Sequence, residues 1–212
     1  MARYNYIVIE GNIGAGKTTL ATRIADDYNA KLILERFADN PFLPKFYSEP
    51  ERYSFPLELS FLADRYKQLK EELTDSDLFR EFTVADYYFM KSLIFAAATL
   101  TGDEYNLYRQ IFYIIYGMLP KPDLYVYLHV EPERLLQNIK KRGRSFEEPI
   151  TTGYLKNIQE NYFRFFSQNP DNRYLILDVN NIDFVEVDEH YHRITGIIFG
   201  EEIPLGINKM IL

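Results

Sequence analysis

The sequence predicts an α/β protein in which a parallel sheet is covered by helices on both faces. Three observations predict it. Short apolar runs alternate with stretches of helical period along the chain, the runs are too apolar to leave one face wet, and the first run passes through a glycine-rich turn straight into a helical pattern. The 212 residues suffice for one well-buried domain and are short for two. With no internal repeat, low-complexity tract or Gly/Ser linker, the expectation is a single domain over residues 1–212.

The first strand is expected from Tyr4 to Glu10, where Tyr4-Asn5-Tyr6-Ile7-Val8-Ile9 alternates before the glycine turn, and a helix follows from Lys17 to Asn29. A second strand, KLILE, runs from Lys31 to Glu35 into a loop rich in Asn, Pro and Phe. A helix from Pro50 to Leu73 then carries Phe55, Leu59, Leu62 and Leu69 on its apolar side. The third strand, FTVAD, covers Phe82 to Asp86, and two apolar helical stretches follow, Phe89 to Leu100 and Glu104 to Leu119. The fourth strand, DLYVYLHV, spans Asp123 to Val130 and leads into a helix from Glu133 that ends in a basic cluster. A helix from Thr152 to Ser167, a fifth strand from Tyr174 to Val179 and a helix from Phe184 to Phe199 complete the pattern. A site in such a sheet is expected at the carboxyl ends of the strands.

Composition narrows the function. The chain has no Cys, so a disulfide framework is excluded and a reducing, cytoplasmic home is the simplest reading. No signal peptide and no run of membrane-spanning length is read, so no membrane partner is expected. The net charge of −7, from 24 basic and 31 acidic side chains, repels a polyanion and argues against a nucleic acid polymer. The one basic cluster, Lys140-Lys141-Arg142-Gly143-Arg144, suits a small phosphate better than a duplex. His129, His190 and His192 have no clustered partners, and zinc is not expected.

The string Gly11-Asn12-Ile13-Gly14-Ala15-Gly16-Lys17-Thr18 fits G-x-x-x-x-G-K-[ST] between a predicted strand and a predicted helix. Glycines let backbone N–H groups turn inward around phosphate oxygens, and the helix N-terminus adds partial positive charge. Lys17 is expected to reach the β- and γ-phosphates and Thr18 to bind Mg²⁺. The loop, with Thr19 behind it, is therefore expected to hold a nucleoside triphosphate. A GTPase would ordinarily carry N-K-x-D; Asn208-Lys209-Met210-Ile211 lacks the acid. A motor ATPase would need more chain and an acidic pair closing the third strand, where Asp86 is followed by Tyr87. A kinase for a small acceptor fits the size.

Three strings, EGNIGAGKTT, LERFADNPFLPKFYSEPERYSFPLELSFLADRY and KRGRSFEE, together resemble the deoxynucleoside kinase family, in particular its bacterial deoxyadenosine/deoxyguanosine kinase type. The likeness runs from the first strand to about Leu155. It implies a P-loop kinase fold, a five-stranded parallel sheet of order 2-3-1-4-5 with helices on both faces, and a basic lid over about residues 140–150. It also implies phosphorylation by ATP, with Mg²⁺, of a deoxynucleoside 5′-hydroxyl in nucleotide salvage, and a homodimer. The two apolar helical stretches after the third strand are read either as wrapping a deep acceptor pocket or as packing on a second subunit.

The resemblance also implies residue roles. Glu35, ending the second strand, falls where the family has a candidate general base, although the usual Glu-Pro-Val reads Glu35-Arg36-Phe37. Tyr47 and either Glu147 or Glu148 fall where the sugar 3′-hydroxyl is bound. Glu58 stands where a Gln commonly reads the base, and Arg65 where some members have a base-reading Arg; seven residues apart, they share a helix face. An ionised Glu only accepts and Arg only donates, so a base with a donor beside an acceptor is expected, favouring a purine, while thymine stays open. The family's Asp/Glu-Arg-Ser/Thr reads Asp86-Tyr87-Tyr88: the acid is kept, near Mg²⁺ or as a rival base to Glu35, and the Arg at the acceptor's 5′ end is replaced by Tyr87. Arg36 would restore that charge if it turned inward. Arg142 and Arg144 match the lid's Arg-x-Arg, which neutralises the transferred phosphoryl group, and Asn138 replaces a further Arg. By topology, Asp178 to Asn181 would meet the adenine of ATP. Lys17, Glu35, Asp86 and Arg142 are thus the expected catalytic residues. The alternatives are a nucleoside monophosphate kinase, whose acceptor phosphate would call on Arg36 and Arg52, a thymidine kinase, and a silenced nucleotide-binding subunit.

Overall fold

The computed structural model describes residues 3–36, 40–74 and 79–212. Phe37, part of the strand-end motif, lies outside the described residues. In chain order the elements are β1 (Tyr6–Gly11), α1 (Lys17–Asp27), β2 (Lys31–Ile33), α2 (Leu43–Ser48), α3 (Pro50–Thr74), β3 (Thr83–Ala85), α4 (Met90–Thr99), α5 (Gly102–Tyr116), β4 (Leu124–His129), α6 (Pro132–Arg142), a 3₁₀ turn (Ser145–Glu147), α7 (Thr152–Gln168), β5 (Arg173–Asp178), α8 (Asp188–Phe199) and β6 (Gly206–Ile211).

The strands form one sheet of order β2-β3-β1-β4-β5-β6, with every neighbouring pair parallel. The sheet has six strands, not five. The missed strand, GINKMI, is an edge strand with Asn208 and Lys209 at its centre and Ile211 largely exposed. It lacks the continuous apolar run that marks a strand covered on both sides. Two further expectations are corrected. The loop rich in Asn, Pro and Phe contains α2, which starts with Pro44 in its first turn, where a missing N–H costs nothing. The last helix starts at Asp188 rather than Phe184, because Asp183 Oδ1 accepts from the backbone N–H groups of Val185 and Glu186 at 3.0 and 3.1 Å and holds a turn there.

Alternation along the central strands sorts the core into two layers. Ile7, Ile9, Val126, Leu128, Leu175 and Leu177 face an aliphatic layer shared with Leu20 and Ile24 of α1 and Ile194 and Ile198 of α8. Tyr6, Val8, Tyr125, Tyr127, Tyr174 and Ile176 face the opposite layer, built with α4, α5 and α7. The aromatic surplus of the composition is therefore concentrated on one face, where Tyr125 packs on Tyr174 at 5.1 Å and Phe89 stacks on Phe112 at 5.1 Å.

The apolar stripe of α3 is interrupted by polar side chains. Its buried residues Ser54, Leu57, Glu58, Phe61, Leu62, Arg65, Gln68 and Leu69 recur at helical spacing, yet Glu58, Arg65 and Gln68 belong to the stripe. In α4 the buried run includes Lys91 and Ser92. Charged groups in a buried stripe need partners, and these point toward the carboxyl ends of β2, β3 and β1.

Candidate active site

β1 delivers the chain into the glycine loop, and two of its glycines adopt conformations that favour glycine. Gly14 has φ 84°, and a Cβ there would lie 3.0 Å from Leu135 O. Gly16 has φ 88°, and a Cβ there would lie 2.7 Å from Phe184 Cζ. The loop is braced from outside: Asn12 Nδ2 donates to Leu155 O at 2.7 Å, and Asn138 Nδ2 donates to Gly14 O at 2.9 Å. Asn138, standing where a lid Arg was expected, thus secures the loop.

Lys17 Nζ donates to Asn12 O at 2.8 Å. Burial, together with repulsion from Lys91, lowers its pKa to about 8, against the opposing pull of Glu10, Glu35 and Asp86. Glu10 lies fully buried beneath, accepting from Tyr88 N at 2.9 Å and Tyr162 Oη at 2.8 Å, and burial pushes it up to about 7.

Two cavities meet over this loop. The donor-side cavity, about 570 Å³, is lined by Gly14 to Thr19, by Arg134, Asn138, Lys141, Arg142 and Arg144, and by Val179 and Ile182 to Glu186. Of Asp178 to Asn181, expected to meet the adenine of ATP, Val179 lines this cavity and the other three do not. Asp178 is engaged in closing its own turn, accepting from Asn180 N at 3.1 Å. Gly11 and Asn12 are buried and line neither cavity, and Ile13 faces the acceptor side.

The acceptor-side cavity, about 130 Å³, brings together Glu35, Tyr47, Glu58, Arg65, Asp86 and Glu147, distributed over almost the whole first two-thirds of the sequence. Gly14, Lys17, Thr18, Arg142 and Arg144 line both cavities and mark their junction. Glu35 sits just beyond β2 with both oxygens engaged. Arg65 Nε and Nη2 approach Oε1 at 2.9 and 2.8 Å, and Lys91 Nζ donates to Oε2. Burial alone would raise this carboxyl, but Lys91 and Arg65 outweigh it and bring the pKa down to about 2.

Asp86 at the end of β3 accepts from Glu35 N at 2.8 Å and, through its other oxygen, from Thr18 Oγ1 at 2.5 Å. Two oxygen donors paired beside a phosphate loop suit a magnesium ion, which takes one or two protein oxygens and completes its shell with water and phosphate. Glu58 Oε1 accepts from Thr99 Oγ1 at 2.9 Å, whereas Oε2 is buried without a partner among the described residues. Burial raises this carboxyl to about 7, partly offset by Arg65. Tyr47 stacks on Phe146 at 6.4 Å, and burial followed by the nearby Glu147 raises its hydroxyl. Of the two candidate glutamates, Glu147 is buried at the cavity and Glu148 is exposed.

Tyr87 corrects the expectation drawn from the third strand. Its side chain is fully buried in the aromatic layer and does not line the acceptor cavity, although its hydroxyl, without a partner among the described residues, lies near enough to Glu35 and Arg65 to feel both. Nor does Arg36 turn inward: it is exposed and pairs with Glu72 at 3.2 Å. The charge in that region comes from Lys91, in the first turn of α4, which sequence reasoning missed. Its signal was a single Lys inside the apolar stretch Phe89-Met90-Lys91-Ser92-Leu93-Ile94. α4 also carries Phe95 to the cavity wall, so this stretch wraps the acceptor pocket, while Leu107, Tyr113, Ile114 and Met118 on and just beyond α5 are exposed.

Comparison with known proteins identifies relatives of this chain. The sequence model described as deoxynucleoside kinase matches residues 7–200. A deoxyguanosine kinase of Bacillus subtilis is 39% identical over 196 residues, covering 90% of this chain and 94% of its own. A deoxyadenosine kinase of Dictyostelium discoideum is 30% identical over 186 residues, covering 87% of this chain and 75% of its own. A structure of deoxyadenosine kinase from M. mycoides with bound dATP superposes with a TM-score of 0.78 at 26% identity, over 91% of this chain and 98% of that one.

Proposed function

This chain belongs to the deoxynucleoside kinase family and is a nucleoside kinase, and we propose that it transfers the γ-phosphoryl group of ATP to the 5′-hydroxyl of a purine deoxynucleoside. The observation that carries the proposal is the junction of the two cavities. Gly14, Lys17, Thr18, Arg142 and Arg144 border both, so a triphosphate tail entering from one side ends where a sugar alcohol entering from the other begins. In-line transfer needs little more than this alignment plus neutralisation of charge.

In this reading Lys17 and the loop amides grip the β- and γ-phosphates, and Arg142 and Arg144 close over the transferred group. Thr18 and Asp86 would hold Mg²⁺, which would supply charge neutralisation to the phosphate oxygens. Glu35 orients the 5′-hydroxyl and receives its proton. Asp86, which accepts from Thr18 and the backbone of Glu35, stays the rival base, since both oxygens of Glu35 are likewise engaged, by Arg65 and Lys91. Tyr47 and Glu147 bind the 3′-hydroxyl and crowd the sugar, favouring deoxyribose.

The purine preference rests on Glu58 and Arg65. When ionised, Glu58 offers an acceptor at its partnerless Oε2, and Arg65 keeps N–H groups beyond those given to Glu35 and Ser92. Guanine N1–H beside O6, or adenine N6–H beside N7, satisfies both. A monophosphate acceptor is disfavoured, because Arg36 and Arg52 pair with Glu72 and Glu49 on the surface and border neither cavity.

The exposed Leu107, Tyr113, Ile114 and Met118 support a homodimer through α5. No helix among the described residues is long and apolar enough to cross a membrane. The chain is taken to act as one domain, in nucleotide salvage in the cytoplasm. A panel of four deoxynucleosides with ATP and Mg²⁺ tests the reading. Preferred turnover of deoxyguanosine or deoxyadenosine supports it, and preferred turnover of thymidine ends the purine assignment.

A further inference from the structure

We infer that Lys91 is a catalytic residue of the transfer, its ammonium passing from Glu35 to an oxygen of the moving phosphoryl group as the reaction proceeds; the inference rests on the kinase reading above. Lys91 lies in the first turn of an otherwise apolar stretch, with only 9% of its side chain exposed. A lysine is buried in this way only when a strong partner compensates the lost hydration. Its partner is Glu35, yet Glu35 already receives two N–H groups from Arg65. One carboxylate therefore serves two buried cations.

The other carboxylates nearby are Asp86, Glu10 and Glu58, and among the described residues Glu35 alone is in direct contact with Lys91. Asp86 is engaged by Thr18 and by the amide of Glu35. Glu10 is bound by Tyr88 N and Tyr162 Oη, and burial raises it to about 7, so near neutrality it supplies only part of a negative charge. Lys17, across the junction, feels Lys91 as a repulsive neighbour. Both ammonium groups line the acceptor-side cavity together with Thr18 and Asp86, so a phosphoryl group arriving there meets two cations. Phe95 lies 5.3 Å beneath the Lys91 ammonium and confines it on the protein side.

The chemistry supplies a reason for the ammonium to move. The 5′-oxygen forms a bond to the γ-phosphorus while the bond from that phosphorus to the β-bridging oxygen breaks, releasing ADP with the electron pair. The hydroxyl proton passes to Glu35. Glu35 thereby loses its charge, the charge freed by the broken bond leaves with ADP, and the transferred group brings the negative charges it already carries to the acceptor side. The attraction that held Lys91 on Glu35 is thereby transferred to the product. Such an interaction is stronger in the transition state than in the ground state, the condition for raising kcat. A purely structural Lys91 would stabilise Glu35 equally throughout.

The test compares Lys91→Met and Lys91→Arg with the wild type, using steady-state kinetics and calorimetric binding of the deoxynucleoside and its 5′-monophosphate. Lys91→Met is expected to lower kcat by about 10²- to 10³-fold, with KM for the deoxynucleoside little changed. Its affinity for the 5′-monophosphate should fall by about tenfold or more, while that for the deoxynucleoside holds. Lys91→Arg should recover a substantial part of both. Lys91→Gln replaces the Met variant if that fails to fold. Equal loss of affinity for nucleoside and monophosphate, or a kcat within about threefold of wild type, would overturn the assignment. A wild-type protein that turns over no deoxynucleoside would sink the kinase reading itself, and the monophosphate titration would still read the contact to Lys91.

Discussion

Arg142 Nη2 lies 2.6 Å from each carboxylate oxygen of Glu147, and Arg144 approaches the same carboxylate at 3.5 Å. Two arginines assigned to the phosphates are thus drawn together by the acid assigned to the sugar. In the proposed reading a deoxyribose 3′-hydroxyl reaching Glu147 would compete with this pairing and so couple occupancy of the acceptor pocket to release of the lid arginines. Replacing Glu147 with Ala should raise KM for the deoxynucleoside about tenfold, the loss of a hydrogen bond to a charged group. It should also narrow the preference for a 3′-hydroxyl over a 3′-deoxy sugar. Kinetics with the two sugars in wild type and variant check both.

Glu35→Gln removes the proton acceptor without changing shape, and kcat should fall by about 10²- to 10⁴-fold. Asp86→Asn should instead raise the Mg²⁺ concentration needed for half-maximal rate. Magnesium titrations of both variants separate the roles; a Glu35→Gln enzyme at full turnover would move the base to Asp86.

Glu58 carries a pH signature. Its folded pKa of about 7 lies above the ordinary 4.5, so its stabilising contribution is complete below about pH 4.5 and is lost as pH rises through 7. The groups facing it are Arg65 on its own helix, Lys91 and Thr99 on α4, Tyr108 on α5, and Tyr47 and Tyr154 across the pocket. Glu58→Gln does not titrate, so its melting temperature should gain on wild type between pH 5 and pH 8. The gain should amount to several degrees, and thermal melts across that range check it.

The basic limb of activity should come from Lys17. With its pKa held near 8 in the free protein, kcat/KM for ATP should decline above about pH 8. The limb in kcat should lie higher, because bound phosphates stabilise the ammonium. Initial rates at saturating and subsaturating ATP distinguish the two.

Gly16→Ala meets both a φ of 88° and Phe184 at 2.7 Å. ATP binding should weaken by about tenfold or more from the displaced loop amides and backbone strain, while deoxynucleoside binding is retained. Calorimetry with each ligand checks the difference.

The strand and helix pattern and the loop from Gly11 to Thr18 were legible because they are local. Periodicity and glycine spacing lie within a dozen residues of one another. What escaped the sequence depends on through-space partners. β6 is strand-like only because β5 offers it an edge, and its own Asn208 and Lys209 read as loop. Lys91 is 56 residues from Glu35 along the chain, and no spacing rule joins them. Tyr87 was placed at the acceptor by its motif position, but its side chain is buried in the aromatic layer. Lys91 brings a cation to the cavity that Tyr87 does not line.

In the proposed reaction phosphorus leaves the triphosphate and arrives on a purine deoxynucleoside 5′-oxygen at the junction of the two cavities. Phosphorus NMR of the protein with Mg²⁺, ATP and deoxyguanosine or deoxyadenosine reads it directly. The account predicts ADP and a 5′-monophosphate appearing in equal amounts, with both signals lost in Lys17→Met. ADP without a phosphorylated nucleoside, or phosphate on the 3′-oxygen, would contradict it.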